Sequence, residues 1–251
     1  GMCGKRRVLF PDSVGGLPEQ ELTIAEVLKQ QGYATAMVGK WHLGHLPAYL
    51  PTQHGFDSYY GIPYSNDMDN VAPKHFKKWD RFRDPNWKYF NVPLLQGTRA
   101  GGVEQVERPV DQRTITRRYV EQAVDFIRRQ DSDQAFFLYL AHSLPHVPLF
   151  RGDAFADHSR AGLYGDVIEE IDWGVGEILS ALREQGVSEK TLVVFTSDNG
   201  PWLNFGNHGG STSGLREGKG TSWEGGQREP CIMKWPGNIP AGANCNKLSS
   251  T

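Results

Sequence analysis

Long apolar runs are missing from this 251-residue chain; no stretch of 18 apolar residues occurs, so no transmembrane helix is expected. Charge of one sign is missing too. A net charge of −2 provides no bulk positive field that would favour nucleic acid or an anionic membrane surface. The opening Gly1-Met2-Cys3-Gly4-Lys5 lacks the apolar core of a secretory signal. Cysteine is scarce. Cys3, Cys231 and Cys245 lie far apart without C-x-x-C spacing, which argues against a zinc site or a disulfide framework and leaves the redox compartment open. No repeat or low-complexity tract appears. With 38% hydrophobic and 22% charged residues, a disordered, fibrous or coiled-coil chain is excluded. The length suffices to bury a sizeable core without a covalent or metal staple.

Glycine and proline are plentiful, 29 and 15 residues, which points to many turns and shaped loops. The ordered signals alternate. Thr23-Ile24-Ala25-Glu26 reads as a capping box, with Gly32 closing a short helix. Tyr33–Val38 reads as a buried strand. Residues 44–110 carry seven prolines and little periodicity, and read mainly as loops with short elements. Ile115, Tyr119, Ala123, Phe126 and Ile127 recur at helical spacing. Ala135–Leu140 is an apolar run of strand length. Leu163, Val167, Ile168, Ile171, Val175, Ile178, Leu179 and Leu182 form an amphipathic helix ended by Gly186. Thr191–Thr196 reads as a further buried strand. Strands alternating with amphipathic helices predict an α/β fold, a mostly parallel central sheet sandwiched by helices.

In such sheets ligands sit beyond the carboxyl ends of the strands. Three strand ends here lead into reactive groups: Gly39-Lys40-Trp41-His42-Leu43-Gly44, His142-Ser143-Leu144-Pro145-His146-Val147-Pro148 and Ser197-Asp198-Asn199-Gly200-Pro201. Lys40 supplies fixed positive charge, and His42 a proton shuttle near neutral pH; a surface lysine and a turn-capping histidine are the plain alternatives. His146, between two prolines, has a stiffened backbone, although a loop histidine without a task would look the same. Asp198 and Asn199 offer hard oxygen ligands suited to Ca2+ or Mg2+, and they also suit an Asx turn before Gly200. Gly218-Lys219-Gly220 lets the chain approach a ligand closely, yet does not match a phosphate-binding P-loop; a flexible loop with a solvated lysine is the alternative. Taken together, the two lysines, two histidines and cation-ligand pair would bind and hydrolyse an anionic ester.

These segments resemble the sulfatase family of the alkaline phosphatase superfamily, in its branch of arylsulfatases and N-acetylgalactosamine-6-sulfatases. The resemblance is carried by Gly39–Gly44, Leu50-Pro51-Thr52, Gly55-Phe56-Asp57, Gly61-Ile62-Pro63-Tyr64-Ser65-Asn66-Asp67, Pro145–Pro148, Ser197–Gly200, Gly218–Gly220, Glu224-Gly225-Gly226 and Trp235-Pro236-Gly237, in order along nearly the whole chain. It implies a sulfuric ester hydrolase, acting on aryl or carbohydrate sulfates through a formylglycine nucleophile. In that reading Lys40 and Lys219 bind sulfate and His146 protonates the leaving alcohol. His42 helps expel sulfate, Ser65 hydrogen-bonds near the nucleophile, and Asp198 and Asn199 form part of a Ca2+ site. His142 and His208 stay open between lining the site and serving a loop.

The formylglycine precursor motif, C-x-P-S-R or C-x-A-x-R, is matched by none of the three cysteines; Cys3, followed by Gly4-Lys5-Arg6-Arg7, is a poor fit. The first-strand Asp-Asp pair that completes the family's metal site has no match either. The resemblance therefore implies that residues 1–251 form the central part of a sulfatase catalytic domain, with the N-terminal nucleophile and metal segment and the C-terminal region lying outside them. A phosphodiesterase or phosphonate hydrolase of the same superfamily, or a non-catalytic sugar-binding product, are the alternatives. The expected partner is a small-molecule or glycan sulfate ester rather than nucleic acid, and the expected location is extracytoplasmic: periplasmic, secreted or lysosomal. Trp79, Trp87, Tyr89 and Phe90 suit stacking on sugar rings, and equally core packing or a lid.

Overall fold

The structure is a computed structural model that describes residues 8–74, 80–131 and 133–250. Cys3 and Trp79 lie outside the described residues. In chain order the helices and strands are α1 (Ile24–Gln30), β1 (Ala34–Gly39), β2 (Ser58–Gly61), α2 (Asp80–Arg83), β3 (Leu94–Thr98), β4 (Gly102–Glu107), α3 (Ile115–Arg128), β5 (Phe136–Ala141), α4 (Gly162–Glu184), β6 (Val193–Thr196), α5 (Glu224–Gln227) and β7 (Cys231–Lys234). They fall into two compact units, Gly1–Ile178 and Leu179–Thr251. Among the described residues no helix is long and apolar enough to cross a membrane.

The first unit is built on a five-stranded sheet ordered β4-β3-β2-β1-β5. β1 pairs in parallel with both β2 and β5, whereas β3 runs antiparallel to β2 and to β4. Four of the five strands thus point one way, and the carboxyl ends of β2, β1 and β5 share one edge. Helices cover both faces. On one, Ala25 of α1 joins Met37, Trp41, Leu50, Phe56 and Tyr59 in a buried cluster, with Phe137 against it. On the other, α3 sets Tyr119 edge-on to Tyr60 and Phe126 edge-on to Phe136. Alternation along the strands separates the two sets, since Tyr59 and Tyr60, and Phe136 and Phe137, point to opposite faces.

Local chemistry accounts for the joints. Thr23 and Glu26 form the predicted capping box: the Glu26 N–H donates to Thr23 Oγ1 at 3.1 Å and the Thr23 N–H to Glu26 Oε2 at 2.8 Å. Gly32 follows at φ +83°, a left-handed position suited to glycine. Asp57 ties α1 to β1, accepting from Lys29 and from the Thr35 N–H and Oγ1, both at 3.0 Å. Burial alone would raise its carboxyl, but these donors hold it below the ordinary range.

The stretch read mainly as loops supplies β2, β3 and β4, three strands of the sheet. Thr191–Thr196 is a correction of a different kind. Its ordered part, β6, pairs antiparallel with β7 in a separate two-stranded sheet of the second unit, and Val194 and Phe195 are 47% and 40% exposed rather than buried. An apolar run of strand length specifies a strand but not its partner or its cover.

Candidate active site

The shared edge of β2, β1 and β5 gathers four of the residues singled out in the sequence. β1 ends at Gly39, where a Cβ would stand 1.9 Å from the Ala141 carbonyl oxygen; at Gly61, the end of β2, it would stand 1.8 Å from the Gly39 oxygen. Only glycine lets the three strand ends close this tightly. The chain leaving β1 then crosses to its neighbours. The Lys40 N–H donates to Ala141, Trp41 to Ile62 and His42 to Pro63, at 2.8, 3.0 and 3.1 Å. Lys40 and His42 are therefore fixed between the exits of β5 and β2, both half-buried. His42 takes a left-handed φ of +58°, and its Nε2 lies 2.9 Å from the Leu9 carbonyl oxygen. A carbonyl only accepts, so Nε2 carries the hydrogen of this contact. A non-glycine residue held at positive φ is uncommon.

Beyond β2, Ser65 is 2% exposed, and its Oγ has no hydrogen-bond partner among the described residues. Asn66 is fully buried. Its Nδ2 faces Gln112 Oε1 at 3.2 Å, the His146 carbonyl at 3.3 Å and the Pro148 carbonyl at 3.2 Å, while Gln112 Nε2 donates back to the Asn66 carbonyl at 2.9 Å. This amide pair clamps the backbone on either side of Val147. His146 Nδ1 lies 2.7 Å from the Val147 oxygen, so Nδ1 carries the hydrogen of this contact.

His142, directly after β5, is enclosed. Its ring packs against Tyr119, its Nδ1 has no partner among the described residues, and burial lowers it to about 4. It is neutral at pH 7.

Sequence reasoning missed a second clamp behind this segment. Asp166 of α4, 2% exposed, accepts from the Ser159 and Asp157 N–H groups at 2.7 and 3.0 Å and from Arg151 Nε at 3.2 Å. Those donors outweigh burial and hold its carboxyl below the ordinary range. One turn on, Glu170 accepts the Gly152 N–H at 2.8 Å, and burial pushes its carboxyl up. Two carboxylates at i and i+4 beside the apolar stripe of Val167 and Ile171 were the available signal. Asn66 and Gln112 gave none, because amides in polar stretches read as solvent-facing.

The second unit has its own assembly. Asp198 and Asn199 follow β6, the Gly200 N–H donates to Gly226 at 3.1 Å, and the Lys219 N–H donates to Pro201 at 2.9 Å. A Cβ at Gly200 would come within 1.9 Å of the Gly225 oxygen, so the glycines allow the Asp198-Asn199 turn, the Lys219 loop and the Glu224-Gly225-Gly226 turn to touch. Lys219 Nζ lies 5.4 Å from the centre of the Trp202 ring. Burial, then the Asp198 carboxylate, push Glu229 up. Asp198 and Asn199 fit a hard cation in kind. They do not fill its shell, since Ca2+ takes about six to eight oxygens, and among the described residues no group of three or more His, Cys, Asp or Glu converges as a cage. His208 lies in a short 3-10 segment, Leu203–His208, in the same unit.

A family model described as Sulfatase matches residues 2–251. An N-acetylgalactosamine-6-sulfatase of Canis lupus familiaris is 42% identical over 243 residues, covering 94% of this chain and 44% of that protein. Arylsulfatase A of Homo sapiens is 40% identical over 254 residues, covering 97% of this chain and 48% of that protein. Among solved structures, the PsFucS1 sulfatase from Pseudoalteromonas sp. superposes with a TM-score of 0.79 at 32% identity, over 94% of this chain and 49% of its own. Ps i-CgsB in complex with k-i-k-neocarrahexaose superposes with a TM-score of 0.70 at 30% identity, over 92% and 51%. The chain thus spans about half the length of these relatives.

Proposed function

Because the chain belongs to the sulfatase family, we propose that the protein carrying it is a sulfuric ester hydrolase acting on sulfated glycans, with aryl sulfates as simpler substrates. The observation that supports this most is the shared edge of β2, β1 and β5, where the segments bearing Lys40, His42, Ser65 and His146 meet. Lys40 offsets the negative charge of the sulfate, and the resemblance of Gly218–Gly220 to the family motif supports the same task for Lys219. His146, through Nε2, delivers a proton to the departing alcohol oxygen. His42 takes the proton of the remaining hydroxyl on the sulfated formylglycine hydrate, so that the aldehyde C=O re-forms, the carbon–oxygen bond to the sulfate breaks and sulfate leaves. Ser65 presents its buried hydroxyl to the nucleophile. Asp198 and Asn199 would contribute two oxygens toward a hard divalent cation, which when bound offsets charge on a sulfate oxygen.

The nucleophile in this reading is a formylglycine from a segment N-terminal to this one. Its support is that no cysteine here lies in the precursor motif and that the chain covers 44–48% of its curated relatives. The same kinship supports residues 1–251 as the central part of the catalytic domain, and an extracytoplasmic or lysosomal location.

The test compares 4-nitrophenyl sulfate with bis(4-nitrophenyl) phosphate and an aryl phosphonate on the protein carrying this chain. A kcat/KM for the sulfate higher by about 100-fold or more, a gap of roughly 3 kcal/mol, is expected, with formylglycine seen by peptide mass spectrometry. Preference for either phosphorus ester would replace this reading with the phosphodiesterase or phosphonate hydrolase alternative.

A further inference from the structure

Within the first unit a cleft of about 510 Å3 is walled by Asp84, Trp87, Lys88, Tyr89, Arg113 and Phe150. None of these residues has a part in the chemistry proposed above. Their types are mixed in a particular way: aromatic faces are set among groups of both charges. The Trp87 indole is half-buried, with Arg113 Cζ 5.9 Å and Lys88 Nζ 5.5 Å from its ring centres. Arg113 is not a loose surface cation. Asp111 grips it through Nε at 3.0 Å and Nη2 at 2.6 Å, which fixes the guanidinium plane and uses two of its five N–H donors. The hydrogen bonds from Arg113 hold the Asp111 carboxyl below the ordinary range, so the pair is charged at neutral pH.

The cleft also adjoins the reacting segment by construction. Phe150 stands four residues after His146, and Gln112, next to Arg113, is the amide that pairs with Asn66 across the His146 and Pro148 carbonyls. Gly152, two residues beyond Phe150, runs near the Arg113 backbone: a Cβ there would lie 3.8 Å from the Arg113 carbonyl oxygen. Two of the lining residues, Arg113 and Phe150, are thus close in the chain to residues of the Asn66–Gln112 clamp and the His146 segment. An apolar aglycone would make no use of the charges on Asp84, Lys88 and Arg113. A sugar ring satisfies both parts, because its C–H face lies on indole while hydroxyl and acidic substituents reach the charges.

We propose that this cleft is a subsite for a neighbouring acidic sugar of a glycan substrate, stacked on Trp87 and paired through its carboxylate or sulfate with Arg113. The proposal rests on the reading of the protein as a sulfate-ester hydrolase. Wild type, Trp87→Ala, Trp87→Phe and Arg113→Gln are compared on 4-nitrophenyl sulfate and on a hexasaccharide of alternating uronic acid and N-acetylgalactosamine 6-sulfate. Trp87→Ala and Arg113→Gln are expected to lower kcat/KM on the hexasaccharide roughly tenfold, mainly through KM, as loss of one stacked or charge-paired contact does. On the aryl sulfate the change stays within about twofold, and Trp87→Phe keeps most of the glycan activity. Equal losses on both substrates, or none on the hexasaccharide, overturn the subsite. Calorimetric titration of the same hexasaccharide into wild type and Arg113→Gln decides the matter apart from turnover. Weaker binding by the variant supports the subsite, and unchanged binding overturns it. Binding that depends on Arg113 without hydrolysis of either ester would retain the cleft and reject the sulfatase reading.

Discussion

The His146 and Pro148 carbonyls share a side-chain donor, the Asn66 amide, which Gln112 holds in turn. Asn66→Ala leaves these buried acceptors without it, at about 1–3 kcal/mol of stability. The kinetic consequence is more telling, because a backbone released on either side of Val147 no longer aims His146. A fall in kcat of about tenfold or more with KM little changed is the expected result. Steady-state kinetics beside a denaturant melt checks it. Loss of stability with unaltered kcat would reduce Asn66 to a packing role. Lys40, His42 and His146 were legible because their types are unusual at the exit of an apolar strand. Asn66 and Gln112 were not, since only the fold turns two ordinary amides into a buried pair. His142 was legible as a residue and not as a role, which its enclosure against Tyr119 supplies.

Among the elements, α4 does two things. Its apolar stripe buries Val167 and Ile171, and beside it Asp166 and Glu170 hold the loop that follows the His146 segment. Asp166→Ala strips a buried carboxylate from two backbone N–H groups and Arg151, and is expected to cost about 3 kcal/mol. The pH dependence has a definite sign. The folded carboxyl lies below its unfolded value of about 3.9, so its contribution is full above that value and is lost as pH falls through the depressed folded value. Denaturant midpoints at pH 7 and pH 3 should therefore lie closer together in Asp166→Asn than in wild type. An equal drop in both would contradict the assignment. The capped helix α1, the strands β1 and β5, and the helices α3 and α4 could be read in the sequence, because each pairs a clear period or apolar run with a stop. β2, β3 and β4 could not. Ser58–Gly61 is four residues long, and Leu94–Thr98 holds adjacent leucines where alternation would be needed. β6 was legible as a strand, but its antiparallel pairing with β7 depends on a segment 35 residues further on.

For the molecule as a whole, the unremarkable charge balance and the surplus of glycine and proline fit one another. A sulfate ester needs a few placed cations rather than a basic surface, and glycines let strand ends and loops close to within contact at Gly39, Gly61 and Gly200. Motif order along nearly the entire chain carried the family, which the match over residues 2–251 bears out. The central claim is that His146 acts as the acid for the leaving alcohol in a sulfate-ester hydrolase. It is tested most directly by His146→Ala on two esters that differ in leaving group. A sugar 6-sulfate departs as a strongly basic alkoxide and needs the proton; 4-nitrophenyl sulfate departs as a stable phenolate and needs it little. The account predicts a loss in kcat/KM of about 1,000-fold on the sugar sulfate, within the range for general acid catalysis, and of about tenfold or less on the aryl sulfate. Equal losses on the two esters, or none on the sugar sulfate, would contradict it.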